Sequence, residues 1–239
     1  MKTRIFSSEK LSLENLLTAD EYESHYLIKV MRAEKGEQIE LFSSKNYADA
    51  VFVNEKNKLA VLEILKIHDF VNIFPKISIM QCFPEHTKSE LAVQKLTELG
   101  ADEIIFLESE NSIKISPNKK IKLEKILREA VRQSRRYSMP IIKFGNLKEI
   151  LNISFYIENQ SSYKIIILDK SGKTLKEINE YKQFKNIIVI VGPEQGFSKN
   201  ELETFKTSGF DIININHNIL RTETAVISIM SIFSLLKNN

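Results

Sequence analysis

The sequence contains a single cysteine, Cys82, in 239 residues. An intrachain disulfide is therefore excluded, and a lone thiol suits a reducing compartment, so a cytoplasmic location is expected. No apolar run approaches the roughly 20 residues a membrane helix needs, which leaves no membrane partner in view. The start, Met1-Lys2-Thr3-Arg4-Ile5-Phe6, has no apolar stretch of the signal-peptide kind. Neither sign of charge dominates: 34 basic side chains stand against 31 acidic ones, for a net charge of +3. Such a balance permits a nucleic-acid partner without demanding one, so the placement of the charges must decide. The makings of a metal site are missing too. His25, His68, His86 and His217 do not cluster. Cys82 and His86 are close in sequence, but Pro84 lies between them, and two ligands do not make a zinc site. No metal is expected. There is no internal repeat and no low-complexity tract.

What is present builds a globular protein. An apolar fraction of 43% supplies a core, and a charged fraction of 27% suits a soluble chain. Residues 1–71 read as β-rich. Glu37–Phe42, Ala48–Val53 and Leu59–Leu65 alternate or run apolar, with the polar turn Asn54–Lys58 between the last two. Glu21–Val30 is a short helical candidate ending near Gly36. Several short strands in so few residues predict a small barrel, a shape that often binds nucleic acid; a structural or dimerising domain is the plainer alternative. Asn72–Lys76, with Pro75, marks a boundary.

Residues 72–239 alternate strands with helices. Ile77–Phe83, Glu103–Leu107, Ile165–Leu168, Ile187–Val191 and Asp211–Ile215 read as strands, several wholly apolar as in a buried parallel sheet. Thr87-Lys88-Ser89-Glu90 and Ser198-Lys199-Asn200-Glu201 both read as capping boxes, with helices closed by Gly100 and Gly209. Leu91, Lys95 and Leu99 follow the first box at helical spacing. Lys119–Ser134 and Thr222–Leu236 are the other helices. The sum is an α/β architecture with a mostly parallel sheet.

The chain is organised around Val189 to Ala225. Gly192-Pro193-Glu194-Gln195-Gly196-Phe197 follows one strand, and Asn216–Arg221 follows the next. Loops at the carboxyl ends of strands are where open α/β sheets bind ligands. The first loop lacks the Gly-x-Gly-x-x-Gly of a dinucleotide site. Gly172-Lys173-Thr174 looks like the end of a phosphate loop, but the upstream glycine would fall at Ile167. What remains is a tight loop whose backbone can approach a flat heterocycle; an ordinary strand-to-helix turn is the plain alternative. Thr222 is placed to cap the last helix, and Glu223 complements its dipole. Arg221, just outside that N-terminus, gains nothing from the dipole and is better explained by a ligand; a solvated side chain is the plain alternative. Lys125, Arg128, Arg132, Arg135 and Arg136 make one basic stripe, which Lys119, Lys120 and Lys122 extend. Glu124 and Glu129 lie beside the stripe rather than in it, so a phosphate backbone is the expected partner, with a solvated face the plain alternative.

Gly192-Pro193-Glu194-Gln195-Gly196 together with Leu220-Arg221-Thr222-Glu223-Thr224-Ala225 resembles the SPOUT-class methyltransferases, and most closely the small-subunit ribosomal RNA (16S rRNA) uridine-N3 methyltransferase family. Further segments agree: His25 to Arg32 with Gly36; Lys88 with Gln94-Lys95-Leu96-Thr97-Glu98-Leu99-Gly100; and Gln133-Ser134 with Arg136 and Pro140. At two places the chain departs from the family pattern. Gln195 stands where the family has Gly, and Arg132-Gln133-Ser134-Arg135-Arg136 stands where it has Glu-Gln-Ser-Gly-Arg.

The resemblance implies a PUA-like RNA-binding β-barrel in residues 1–71, a SPOUT α/β domain with a deep trefoil knot in residues 72–239, and a homodimer. It implies methyl transfer from S-adenosyl-L-methionine to N3 of a uridine in 16S rRNA or the small ribosomal subunit, with no metal. The cofactor is expected on Leu168, Gly192, Gly196, Ile215 and Leu220, with Pro193, Glu194, Arg221, Thr222 and Ala225 around it. Arg221 or Arg136 would stabilise the deprotonated uracil. Glu194 or Glu223 would take the proton or face the sulfonium. His25, Arg32, Lys88, Arg128, Arg132, Arg135 and Arg136 are the expected RNA contacts, with packing of the barrel the even alternative for His25. Two other readings stand beside this one: a related SPOUT enzyme acting on a ribose 2′-oxygen or on tRNA, and a non-catalytic RNA-binding protein that has kept the fold.

Overall fold

The computed structural model describes residues 2–13, 16–70, 73–84, 86–108, 115–146, 153–175 and 177–237. The chain divides into two compact units, one of Met1–Asn72 with Val131–Met139, the other of Ile73–Ala130 with Pro140–Asn239.

The first unit is built on five strands, β1 (Thr3–Phe6), β2 (Leu16–Thr18), β3 (Gln38–Phe42), β4 (Asn46–Lys56) and β5 (Leu59–Asp69). Their order in the sheet is β1-β3-β4-β5-β2. β1 runs parallel to β3 and every other pairing is antiparallel. Along most of β4, buried residues alternate with partly buried ones, the period-two signature of a sheet with one face on a core. Ile5, Leu27, Ile39, Leu41 and Leu62 fill that core. Helix α1 (Glu21–His25) is capped by Asp20, whose carboxylate accepts from the Glu23 N–H at 2.8 Å, and Tyr26–Val30 continues as a single π-helical segment.

β1 was hidden from sequence reasoning because two of its four buried residues, Thr3 and Arg4, are polar. Arg4 is satisfied by residues far along the chain. It pairs with Glu40, donates to the Val131 carbonyl at 3.2 Å and to the Arg136 carbonyl at 2.5 Å, and stacks over Phe42. Val131 packs against Phe6 and Phe42, which joins residues 131–139 to this unit.

The second unit is a six-stranded sheet, entirely parallel, of β6 (Lys76–Cys82), β7 (Glu103–Glu108), β8 (Ile141–Asn146), β9 (Tyr163–Thr174), β10 (Asn186–Val191) and β11 (Asp211–Asn214). The order is β11-β9-β10-β6-β7-β8, so β10 is inserted between β6 and β9. β6 and β10 are buried along nearly their whole length, as strands covered on both faces must be. Among the described residues, five α-helices accompany the sheet: α2 (His86–Glu98), α3 (Pro117–Ser134, its last turn counted with the first unit), α4 (Ile153–Glu158), α5 (Lys199–Thr207) and α6 (Thr222–Ser234). Leu123, Leu127 and Ala130 on α3, and Val226, Ile229, Met230 and Phe233 on α6, are buried as their spacing predicts.

The two capping boxes part company. At α5 the box is complete: Ser198 Oγ accepts from the Glu201 N–H at 3.2 Å, and the Ser198 N–H donates to Glu201 Oε2 at 2.7 Å. At α2 the helix already runs from His86, so Thr87 is inside it, and Glu90 turns instead to Lys119 and Lys122, each at 2.7 Å. α2 also turns a different face inward: Ala92, Val93, Leu96 and Thr97 are fully buried while Leu91 is exposed.

β9 is longer than its apolar core. Its pairing with β11 jumps from Ile212↔Ile167 to Ile213↔Lys173, so residues 168–172 leave the ladder and return. Gly172 sits where the backbones meet: a Cβ there would lie 2.5 Å from the carbonyl carbon of Ile212 and the nitrogen of Ile213. The glycine that resembled part of a phosphate loop serves this close approach.

Candidate active site

Both loops of the Val189–Ala225 stretch leave carboxyl ends of strands that flank β9 in the parallel sheet. One joins β10 to α5, the other β11 to α6. Between them lies a cleft of about 880 Å³, within the usual range for small-molecule sites. Its lining includes Leu168, Gly192, Pro193, Glu194, Gly196, Ile215, Leu220, Arg221, Thr222 and Ala225, which are all the positions named for cofactor contact. Sequence reasoning missed the third wall, Asp169, Lys170 and Ser171, from the excursion of β9. Asp169 Oδ1 accepts from both the N–H and the hydroxyl of Ser171, at 2.9 and 2.6 Å, and Asn214 Nδ2 reaches the Lys170 carbonyl at 3.3 Å. An Asp two residues before a Ser after an apolar run was the available signal for that turn.

The first loop is held tight. Gly192 has a ring of Phe197 where a Cβ would go, at 3.0–3.1 Å. Gly196 has φ +78°, a left-handed conformation that strains other residues, and its N–H bonds the Pro193 carbonyl at 2.8 Å. At the mouth, Lys88 pairs with Glu194. That ammonium holds the Glu194 carboxyl below its ordinary value, and the charge of Arg221 adds a smaller pull in the same direction.

The second loop ends at Arg221, which is itself the N-cap of α6, with extended backbone and no side-chain cap bond. Thr222 was expected to hold that position. It is instead the first helical residue, and its hydroxyl is turned to the sheet, accepting from Gln81 Nε2 at 2.9 Å. The Arg221 guanidinium is exposed and makes no hydrogen bond or ion pair among the described residues. Glu223 is buried and is not part of the cleft lining. Its place is the first turn of α6, where a carboxylate meets the positive end of the helix dipole.

Arg136 belongs to the first unit and does not line the cleft. Its guanidinium donates to the carbonyl and hydroxyl oxygens of Ser138, at 3.1 and 3.3 Å. The basic stripe is not one solvent face. Arg132 is buried, paired with Glu23, and stacked on Tyr26 at 4.0 Å, so it is not available to a phosphate. Lys119 is buried on Glu90. The counter-charges of Arg132 and Lys119 come from other elements, where sequence neighbours could not reveal them. Lys125 and Arg135 are exposed, and Arg128 and Arg136 are half-buried. His25 and Arg32 are also exposed, which removes His25 from the packing of the core. No group of three or more His, Cys, Asp or Glu among the described residues is placed to hold a metal. No described helix is long and apolar enough to cross a membrane.

Comparison with known proteins agrees over nearly the whole length. The RNA methyltransferase domain family matches residues 72–234. A ribosomal RNA small subunit methyltransferase E of Buchnera aphidicola is 31% identical over 235 residues, covering 93% of this chain and 88% of the relative. Its namesake in Aquifex aeolicus is 30% identical over 235 residues, covering 95% and 97%. Among solved structures, a methyltransferase of Legionella pneumophila with bound S-adenosylmethionine aligns at TM-score 0.79 and 25% identity, covering 98% of each chain.

Proposed function

The chain belongs to the RNA methyltransferase family, in its SPOUT-class branch of small-subunit ribosomal RNA methyltransferases, and from that premise we propose that it methylates N3 of a uridine in 16S rRNA. It is an S-adenosylmethionine-dependent enzyme. The observation that carries the reading is the cleft. Two loops, from the ends of β10 and β11 on either side of β9, form its walls, and they hold the residue types an adenosyl sulfonium requires.

The fit can be tested group by group. Glycines 192 and 196 let main-chain N–H and C=O groups approach a flat base. Leu168, Ile213, Ile215, Leu220 and Ala225 offer an apolar bed. Glu194 and Asp169 supply negative charge opposite a cationic ligand. When bound, S-adenosylmethionine supplies an electrophilic methyl carbon.

The chain's own residues do the rest. Arg221 has its guanidinium uncommitted at the cleft, so it is the group we assign to the charge that spreads onto O2 and O4 as N3 loses its proton. Glu194 is a poor proton acceptor, because Lys88 holds its carboxyl low. Glu223 lies outside the lining. We therefore assign no side chain as general base; the N3 proton leaves to solvent, and Arg221 favours the deprotonated base. Since a paired N3 is inaccessible, the target uridine is unpaired or flipped.

We assign RNA contact to the exposed cations His25, Arg32, Lys125 and Arg135, with Lys88, Arg128 and Arg136 at its edge, and not to Arg132. The five-stranded sheet of the first unit is read as a PUA-like barrel. The second unit is read as a trefoil knot: α6 follows the edge strand β11 yet packs on α2, β6 and β10, so the chain returns past the inserted strand. Generic topology disfavours such threading, so the family likeness is needed for that reading. A cytoplasmic homodimer completes the proposal.

The test is methylation of small ribosomal subunits and of free 16S rRNA with isotopically labelled S-adenosylmethionine, followed by nucleoside mass spectrometry. Label in N3-methyluridine is expected. Label on a ribose 2′-oxygen, or none with either substrate, overturns the assignment.

A further inference from the structure

Gln81 is fully buried at the end of β6 and does not line the cleft. Yet it touches the residue before one loop and the residue after the other. Its backbone is the ladder partner of Val191, the residue immediately before Gly192. Its side chain donates through Nε2 to Thr222 Oγ1 at 2.9 Å, one residue beyond Arg221. The interaction joins residues 141 apart in sequence, and both side chains are buried.

Nothing in packing alone calls for this arrangement. A carboxamide between apolar strands costs free energy unless it is satisfied. Here it is only half satisfied, because Oε1 has no hydrogen-bond partner among the described residues. A methionine or leucine would fill the space without that cost. The start of α6, for its part, has no side-chain cap to fix it, since Arg221 occupies the N-cap position and makes no cap bond. The Gln81–Thr222 bond is therefore a side-chain anchor from the sheet to the beginning of that helix, and through it to Leu220 and Arg221.

We propose that Gln81 is a positioning residue: it ties the Gly192–Phe197 loop and the Leu220–Arg221 segment to one strand end, and so sets the width of the cleft and the place of the Arg221 guanidinium. It touches neither cofactor nor substrate. The inference rests on the methyltransferase reading for its effect on activity, though not for its effect on the fold.

The test is a double-mutant cycle in the full chain with Gln81→Met, Thr222→Val and the double variant. S-adenosylhomocysteine is the calorimetric probe. Loss of one buried hydrogen bond is expected to weaken its binding roughly tenfold in either single variant. The double variant is expected to be no weaker than the singles, because the two groups act as one bond. Hydrogen exchange of residues 222–230 without ligand is expected to quicken in Gln81→Met while β7 stays protected. Additive losses in the cycle, or unchanged exchange at the start of α6, overturn the proposal and leave Gln81 a packing residue. If wild-type protein ignores S-adenosylhomocysteine, the methyltransferase reading fails, and the exchange measurement still decides the anchor.

Discussion

Arg132 Nη2 donates to Glu23 Oε2 at 2.6 Å, across 109 residues of sequence and with both side chains sealed from water. A buried pair of this kind is expensive to break from one side, because the remaining charge stays buried without compensation. Arg132→Ala is expected to lower stability by about 3–5 kcal/mol, measured as a drop in urea midpoint. Arg132→Met combined with Glu23→Leu is expected to recover much of that loss. Equal loss in single and double variants would show that the pair is not the source.

Arg221→Ala separates binding from turnover. With its side chain free in the cleft, the substitution should leave S-adenosylhomocysteine affinity within about threefold of wild type and cut kcat by about 10²–10³. Arg221→Lys should restore part of the rate. If the alanine variant methylates at the wild-type rate, Arg221 has no role in the charged step.

Two glycines in the same unit should fail differently. Gly172→Ala drives a Cβ to within 2.5 Å of the β11 backbone, and the strands must separate to take it. A cost of about 1–3 kcal/mol is expected, together with weakened cofactor binding, because residues 168–171 form one wall of the cleft. Gly196→Ala meets no atom within 4 Å but holds φ +78°, so only the backbone strain of roughly 1–2 kcal/mol applies. Thermal melts of both variants beside their binding isotherms make the comparison.

Acid should weaken the fold through identifiable carboxylates. Lys119 and then Lys122 hold Glu90 below its ordinary 4.5, and Lys2 and then His68 hold Asp49 below 3.8. A carboxyl depressed in the folded state contributes stability that is present above its unfolded pKa and lost as pH falls through the folded one. Urea midpoints should therefore be level near neutrality and decline below about pH 4.5. Glu90→Gln should shallow that decline. An unaltered acid limb in this variant would remove Glu90 from the account.

If no side chain accepts the N3 proton, turnover should follow the ionisation of the uracil itself. The rate under saturating cofactor is expected to climb with pH through the alkaline range, with no separate limb in the carboxylate range. A limb there that vanishes in Glu194→Gln would make Glu194 the base after all.

Local signals in the sequence were legible and distant ones were not. Ser198 and Glu201 meet three residues apart, and the capping box they spell is present. Thr87 and Glu90 spell the same box, but two lysines on α3 compete for the glutamate and win. The basic stripe failed at Arg132 for the same reason, its partner being fixed by tertiary folding alone. The strands of the second unit were visible as apolar runs. β8 and the short β1 and β2 were not: β1 is half polar, and Leu16 in β2 and Ile141 in β8 are exposed. The cleft was visible through its two loops, whereas its third wall depends on a break in strand pairing that no periodicity encodes.

The insertion of β10 between β6 and β9 bears on how the protein comes into being. Asn186 is the neighbour of both Lys76 and Tyr163, so this strand can settle only after a long stretch of chain has already been synthesised. During translation β6 and β7 can pair early, leaving an apolar edge exposed while β9 and β10 are still being made. Such edges are where nascent chains stick to one another, and non-local parallel pairing is slow. Pulse-labelled refolding should show β6 and β7 protected before β10, and simultaneous protection of all three would argue against this order. The binding cleft needs β10, β11 and the start of α6, so it forms only once the inserted strand is in place.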